Sequence, residues 1–201
     1  MKQHKASRKG ISLDMTAMCD VAFLLLTFFI LTAKMKTPEP ASFEVPSSIS
    51  TTKLPESNVI RIGIANDGRV FFSVAEQENR KEIIQKVAAA KNEKLTEKQV
   101  TDFGLLETFG MSVSDLKTYL NQTEEKRQKF PQRGIPCDSV TNELKLWVKA
   151  AKRVNPDYRI TIKGDQNAPY GQFEAVIESM KEMGLTHFSL VTSLENKPQT
   201  L

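Results

Sequence analysis

The segment TAMCDVAFLLLTFFILTA, residues 16–33, is the most apolar stretch of the chain and carries an acid, Asp20, inside it. Whether it spans a membrane decides how everything after it is organised. The uninterrupted apolar run behind Asp20 is only about thirteen residues, the length of a buried core helix or a signal-peptide core. Extended back through Asp20 to Ile11, the segment reaches about 23 residues, or about 34 Å as a helix, enough for a hydrocarbon core of roughly 30 Å. The flanks favour the longer reading. Lys2, Lys5, Arg8 and Lys9 precede it, while Lys34 and Lys36 behind it are offset by Glu39 and Glu44. That bias keeps a tail of residues 1–10 in the cytoplasm and exports the rest. A cleaved secretory signal fits less well, because Leu31-Thr32-Ala33 lacks the small residue an A-x-A site requires and two acids, Asp14 and Asp20, precede the most apolar part. Residues 11–33 are therefore read as an uncleaved transmembrane helix.

An aspartate within a span costs about 2.5 to 3.5 kcal/mol on insertion scales, so it faces a protein interior or a wet cavity and marks function by default. At 100° per residue, Thr16 and Thr27 lie within about 40° of Asp20 and make a thin polar stripe bordered by Phe23, Leu24 and Leu31. Asp14 points about 120° away and reads as a helix-start acid beside the positive helix N-terminus. A lone carboxylate on a lone span builds no channel, so partner helices are implied. A dry surrounding favours the protonated carboxyl, and water or a hydrogen-bond donor favours the carboxylate. Asp20 is thus a candidate proton carrier, with Thr16 and Thr27 as candidates for the proton path. The bland alternative is an Asp20 held in an interhelical hydrogen bond that serves assembly alone.

The chain has 201 residues, 40% of them hydrophobic, enough for one sizeable core beyond the span. The net charge of +4 comes from intermixed Lys, Arg, Asp and Glu, which is a solvated surface and not a nucleic-acid footprint. Cys19 lies inside the span and Cys137 far outside it, which argues against a disulfide between them, and neither belongs to a CxxC pair. His4 and His187 are isolated, so no metal constellation of His and Cys is read, and no cofactor is expected.

Behind the span, residues 34–58 (KMKTPEPASFEVPSSISTTKLPESN) hold four prolines and many Ser and Thr. They read as a semi-flexible linker that could reach about 80 Å fully stretched. A folded domain is expected over residues 59–193, with residues 194–201 as a tail. VIRIGIANDGRVFFSV alternates about Asn66-Asp67-Gly68 as a β-hairpin does. Helical spacing follows, with Ile83, Ile84 and Val87 between Arg80 and Lys91, and Leu144, Leu146, Trp147 and Val148 between Val140 and Val154. Residues 94–136 hold further helical stretches, including one that Ser112 caps ahead of Asp115, Leu116, Tyr119 and Leu120, and FPQRGIP closes the region as a loop. The last part reads strand (YRITIKG), helix (YGQFEAVIESMKEMG, stopped by Gly184) and strand (THFSLVT). Phe173, Val176, Ile177 and Met180 form the helix face that packs on the sheet. The expected class is α+β: one N-terminal transmembrane helix, a flexible linker and a small two-layer α/β domain.

LDMTAMCDVAFLLLTFFILTA resembles the membrane segment of the ExbD and TolR proteins, in which an I-x-x-T-P start and two apolar residues precede D-V and a leucine-rich run. The acid of that motif falls at Asp20. IKGDQNAPYGQFEAVIESMKEMGLTHFSLVT resembles the same family's C-terminal signature: a strand ending in A-D, a P-Y-G helix start, a glycine after the helix and a last strand ending in V-T. FEVPSS after the span is similar to the family's short V-x-L-P segment. The resemblance covers residues 11–74 and 140–193. Residues 78–137 are longer than the single helix the family has there and read as a mostly helical insertion. Ala17 stands where the family has proline, and Gly164 where it has alanine.

The resemblance implies a subunit of a proton-driven inner-membrane motor, non-enzymatic and without cofactor. It implies a homodimer set among multi-span partners of the ExbB or TolQ kind, with Asp20 protonated and released in turn. Each elementary charge crossing 100 mV is worth about 2.3 kcal/mol, so single-proton steps can drive a modest movement without a nucleotide, and no G-x-x-x-x-G-K-[ST] loop is present. A periplasmic domain would pass the movement to a TonB-like effector or hold the cell wall, with Asp165 and Tyr170 as candidate partner-binding residues. The rival class is a passive membrane-tethered binding module in which Asp20 only joins helices. A hydrolase built on Asp165, Tyr170 and His187 is a third idea, without a G-x-S-x-G to support it.

Overall fold

The structure is a computed structural model that describes residues 15–33, 45, 47–48, 57–138, 141–191 and 193–194. The chain divides into two units, Met1–Pro38 and Glu39–Leu201. In the first, helix α1 spans Met15–Thr32, about 27 Å at 1.5 Å per residue. Apart from Asp20 and its threonines the helix is apolar on all sides, so it has no single core face to turn inward. All its side chains are exposed except that of Thr27, which is half-buried. Among the described residues it is the helix long and apolar enough to cross a membrane. The expected start at Ile11 lies outside the described residues, as do the cytoplasmic tail and most of the linker.

The second unit runs β1 (Ser47–Ser48), β2 (Val59–Ile64), β3 (Val70–Val74), α2 (Gln77–Ala90), α3 (Glu97–Gly104), β4 (Thr108–Phe109), α4 (Val113–Leu120), α5 (Glu124–Gln128), α6 (Glu143–Val154), β5 (Arg159–Gly164), α7 (Tyr170–Glu182), β6 (Phe188–Leu190) and β7 (Ser193–Leu194). Five strands form a mixed sheet in the order β4-β3-β2-β5-β6, antiparallel on the β4-β3-β2 side and parallel across β2-β5-β6. The class is α+β, as the sequence led one to expect.

The hairpin forms where the alternation placed it. Gly68 N–H donates to the Ala65 carbonyl at 2.9 Å and Ala65 N–H to the Arg69 carbonyl at 3.0 Å, closing a tight turn with one extra residue. That extra residue must adopt a positive φ, and Gly68 does so at 83°. Ile60, Ile62 and Ile64 then share one face of β2 with Val70, Phe72 and Val74 of β3, all fully buried. Helices α2, α6 and α7 supply the facing layer through Ile83, Ile84 and Val87, through Leu144, Trp147 and Val148, and through Val176 and Met180. Phe173 and Ile177 of α7 are only partly buried against it. The stop at Gly184 holds, with φ at 72°.

Residues 94–136, expected to hold helical stretches closed by a loop, contain a strand as well. They include β4, which extends the sheet by pairing Phe109 with Phe72 and Thr108 with Ser73. Two residues are too few to show a period, so the strand is invisible in the sequence. Ser112 caps α4 as expected, its hydroxyl accepting from Asp115 N–H at 3.1 Å. The loop after α5 is tied to the sheet: Gly134 N–H donates to Gly110 O, just after β4, and Ile135 N–H to Val70 O of the hairpin, both at 2.8 Å. A second difference is the pair β1 and β7, which run parallel in a two-stranded sheet. Ser47 and Ser48 fall in the stretch read as linker, and Leu194 in the stretch read as tail.

Candidate functional site

Asp20 sits in the first half of α1, exposed on a helix whose other faces are Met, Val, Leu, Ile and Phe. Two threonine hydroxyls are occupied within the helix. Thr27 Oγ1 donates to the Leu24 carbonyl at 2.9 Å, and Thr32 Oγ1 to the Phe28 carbonyl at 2.8 Å. Of the polar stripe read from the sequence, Asp20 is therefore the group that can ionise, and Thr27 has its proton turned onto its own backbone.

Asp165 and Tyr170 follow the C-terminal end of β5. Because β2 and β5 are parallel and in register from Val59↔Arg159 to Ile64↔Gly164, this end lies opposite the one at which the chain enters the sheet. Asp165 is 8% exposed. Its N–H donates to the Ile64 carbonyl at 2.8 Å, its Oδ1 accepts from Asn167 N–H at 2.9 Å, and its carbonyl accepts from Ala168 N–H at 3.0 Å. The carboxylate thus shapes the turn into α7 by bonding its own backbone two residues on. Tyr170, at the start of α7, is 76% exposed. The structure does not join the two with His187. Phe188, the residue after His187, pairs with Ile160 near the start of β5, so His187 falls level with Arg159 and lies about 20 Å from Asp165 along the strand direction at 3.3 Å per residue. His187 meets Thr186 instead, at 3.4 Å.

Three polar clusters that the sequence reading missed hold the domain. Arg80 is 7% exposed, and its guanidinium donates to the carbonyls of Gly104 (3.0 and 2.8 Å), Val74 (2.6 Å) and Ala75 (2.8 Å). Burial lowers its pKa, against the raising influence of Glu107 and Glu76. Glu143, at the start of α6, accepts from Val113 N–H at 2.8 Å and pairs with Lys91 at 3.1 Å, so one carboxylate meets the first turn of α4 and the end of α2. The Tyr158 hydroxyl donates to Glu76 at 3.0 Å and accepts from Asn79 at 2.7 Å. Burial first, with Glu76 adding to it, raises that phenol to about 12. Burial alone would raise Glu76, but the Asn58 N–H, its own backbone, Tyr158 and Arg61 outweigh that and hold it low. Thr96-x-x-Gln99, a local signal in the sequence, forms a reciprocal helix cap.

Cys137 is buried, and Gln172 Nε2 donates to its Sγ at 2.5 Å. Burial and then the Asp138 charge push the thiol up to about 11, with Gln172 opposing. Such a thiol is a structural group and not a nucleophile. Among the described residues no group of three or more His, Cys, Asp or Glu is placed to hold a metal ion.

The family model described as Biopolymer transport protein ExbD/TolR matches residues 7–195, which takes in α1, the sheet and the long helical stretch between β3 and α6. No curated protein and no solved structure matches. The chain accordingly belongs to the ExbD/TolR family, as a single-pass, motor-type subunit of a biopolymer-transport membrane complex with partners of the ExbB/TolQ type.

Proposed function

We propose that the protein is a subunit of a proton-motive-force-driven inner-membrane motor, with Asp20 as the proton carrier. The observation that carries the reading is one ionisable carboxylate exposed in an otherwise apolar helix of a transport-family chain. A carboxyl in such a place is costly unless a partner or water meets it, and exchange between those surroundings is how it takes up and releases a proton. The multi-span partner supplies the other wall of the path. Two copies of the chain share it, their N-termini in the cytoplasm and their folded domains in the periplasm. The domain then engages a TonB-like effector or the cell wall, and the exposed Tyr170 of the C-terminal signature is a side chain for that contact.

Asp20→Asn tests the reading. The amide keeps the size and the hydrogen bonds of the side chain but cannot gain or lose a charge near neutral pH. The variant is expected to reach normal levels and to co-purify with its multi-span partner, while proton flux through the reconstituted complex and the process it powers fall to background. A normally assembled, fully active Asp20→Asn complex would leave the passive tether as the better account.

A further inference from the structure

The Leu24 carbonyl accepts the Thr27 hydroxyl at 2.9 Å, and in a continuous α-helix it also accepts the Phe28 N–H four residues on. A carbonyl shared between two donors binds each more weakly. Threonine hydroxyls turned back on a preceding carbonyl are a recognised cause of helix bending. The Leu24 N–H meets the Asp20 carbonyl in the same ladder, so the softened position lies one turn beyond the acid. Thr32 repeats the arrangement on Phe28. The part of α1 that follows Leu24, toward the folded domain, thus carries side-chain donors onto carbonyls at successive turns.

The hydroxyl is also poorly suited to relay protons. Its one hydrogen is committed to Leu24, and it stands about 10 Å along the axis from Asp20, at 1.5 Å per residue. We propose that Thr27 is a positioning residue: it makes the Leu24 turn a bending point through which a movement begun at Asp20 is passed along the helix. This rests on the proton-carrier reading and assigns Thr27 a mechanical part in it in place of a chemical one.

The test uses the full chain with its multi-span partner in liposomes, comparing Thr27→Val, which keeps the shape and loses the hydroxyl, with Thr27→Ser, which keeps the hydroxyl. Spin labels at Ala17→Cys and Leu31→Cys, with Cys19 and Cys137 replaced by serine, report the bend as an interlabel distance distribution. Thr27→Val should narrow that distribution toward a straight helix, whose backbone separation between these positions is about 21 Å. It should also lose the powered output while keeping proton flux and its pH profile. Thr27→Ser should match the native chain in all three. Native output from Thr27→Val overturns the proposal, and so does loss of proton flux, which would make the hydroxyl a relay. Asp20→Asn run alongside separates the failures. Full output there sinks the proton reading itself, whereas an inactive Asp20→Asn with a fully active Thr27→Val sinks the bend alone.

Discussion

Cys137 and Tyr158 titrate differently in the folded chain than in an unfolded one, and both shifts have the same sign. The thiol moves from an ordinary 9.0 to about 11 and the phenol from 10.0 to about 12, so the fold favours the protonated form of each. The stability this lends is full below the unfolded values. It is lost as pH rises through the shifted ones, because the unfolded chain sheds these protons first. Denaturant midpoints of the domain should hold level up to about pH 9 and then fall through the thiol step and the phenol step. Cys137→Ala should remove the first step and leave the second. In the native domain, thiol reagents should reach Cys137 at the rate of unfolding. Cys137 was hidden in the sequence, since its burial depends on a partner 35 residues away, whereas the turn role of Asp165 is local, its carboxylate accepting from Asn167 two residues on. Asp20 was legible because its contrast with its neighbours is itself local.

Arg80 belongs to the scale of elements, because its four hydrogen bonds join α2 to the end of β3 and to the last carbonyl of α3. Its acceptors are carbonyls and not a carboxylate, so a neutral replacement strands no buried anion. It does strand the carbonyls of Val74 and Gly104, where the helix C-terminus has no further intrahelical donor. Arg80→Met, which keeps much of the apolar stem, should cost about 3 kcal/mol by hydrogen-bond arithmetic. Arg80→Lys should recover only part, since an ammonium cannot reproduce the planar fork. Urea unfolding followed by Trp147 fluorescence measures both. Elements with a full pattern were readable: the β2-β3 hairpin from the six residues of β2 and the five largely apolar residues of β3 about their turn, and α7 from its apolar face and Gly184. The short β1, β4 and β7 were not, because a two-residue strand is defined by its partner and carries no pattern of its own.

At the scale of the whole chain, the question is whether residues 94–136 are an appendage or part of the domain's core. Phe103 stacks on Trp147 at 5.7 Å and Phe109 meets it at 4.6 Å, while Phe72 of β3 packs against both Phe109 and Trp147. Val100, Met111, Val113, Leu116, Tyr119, Leu120 and Ile135 belong to the same buried cluster as the sheet. Full burial of a large apolar side chain is worth about 1.5 to 3 kcal/mol. Losing Phe103, Phe109, Leu116 and Leu120 together forfeits roughly 6 to 12 kcal/mol, as much as a domain's usual net stability of about 5 to 15 kcal/mol. A fragment of residues 57–194 without the span should therefore fold cooperatively, with Trp147 emission blue-shifted by its fully buried site. The same fragment with residues 94–136 replaced by a short Gly/Ser linker should lose that blue shift and its cooperative transition, because Trp147, Phe72 and Ile84 would face water where α3, β4 and α4 had covered them. A shortened fragment with native emission and a single sharp unfolding transition would show that the sheet, α2, α6 and α7 suffice, and that the long stretch rides on the fold without holding it.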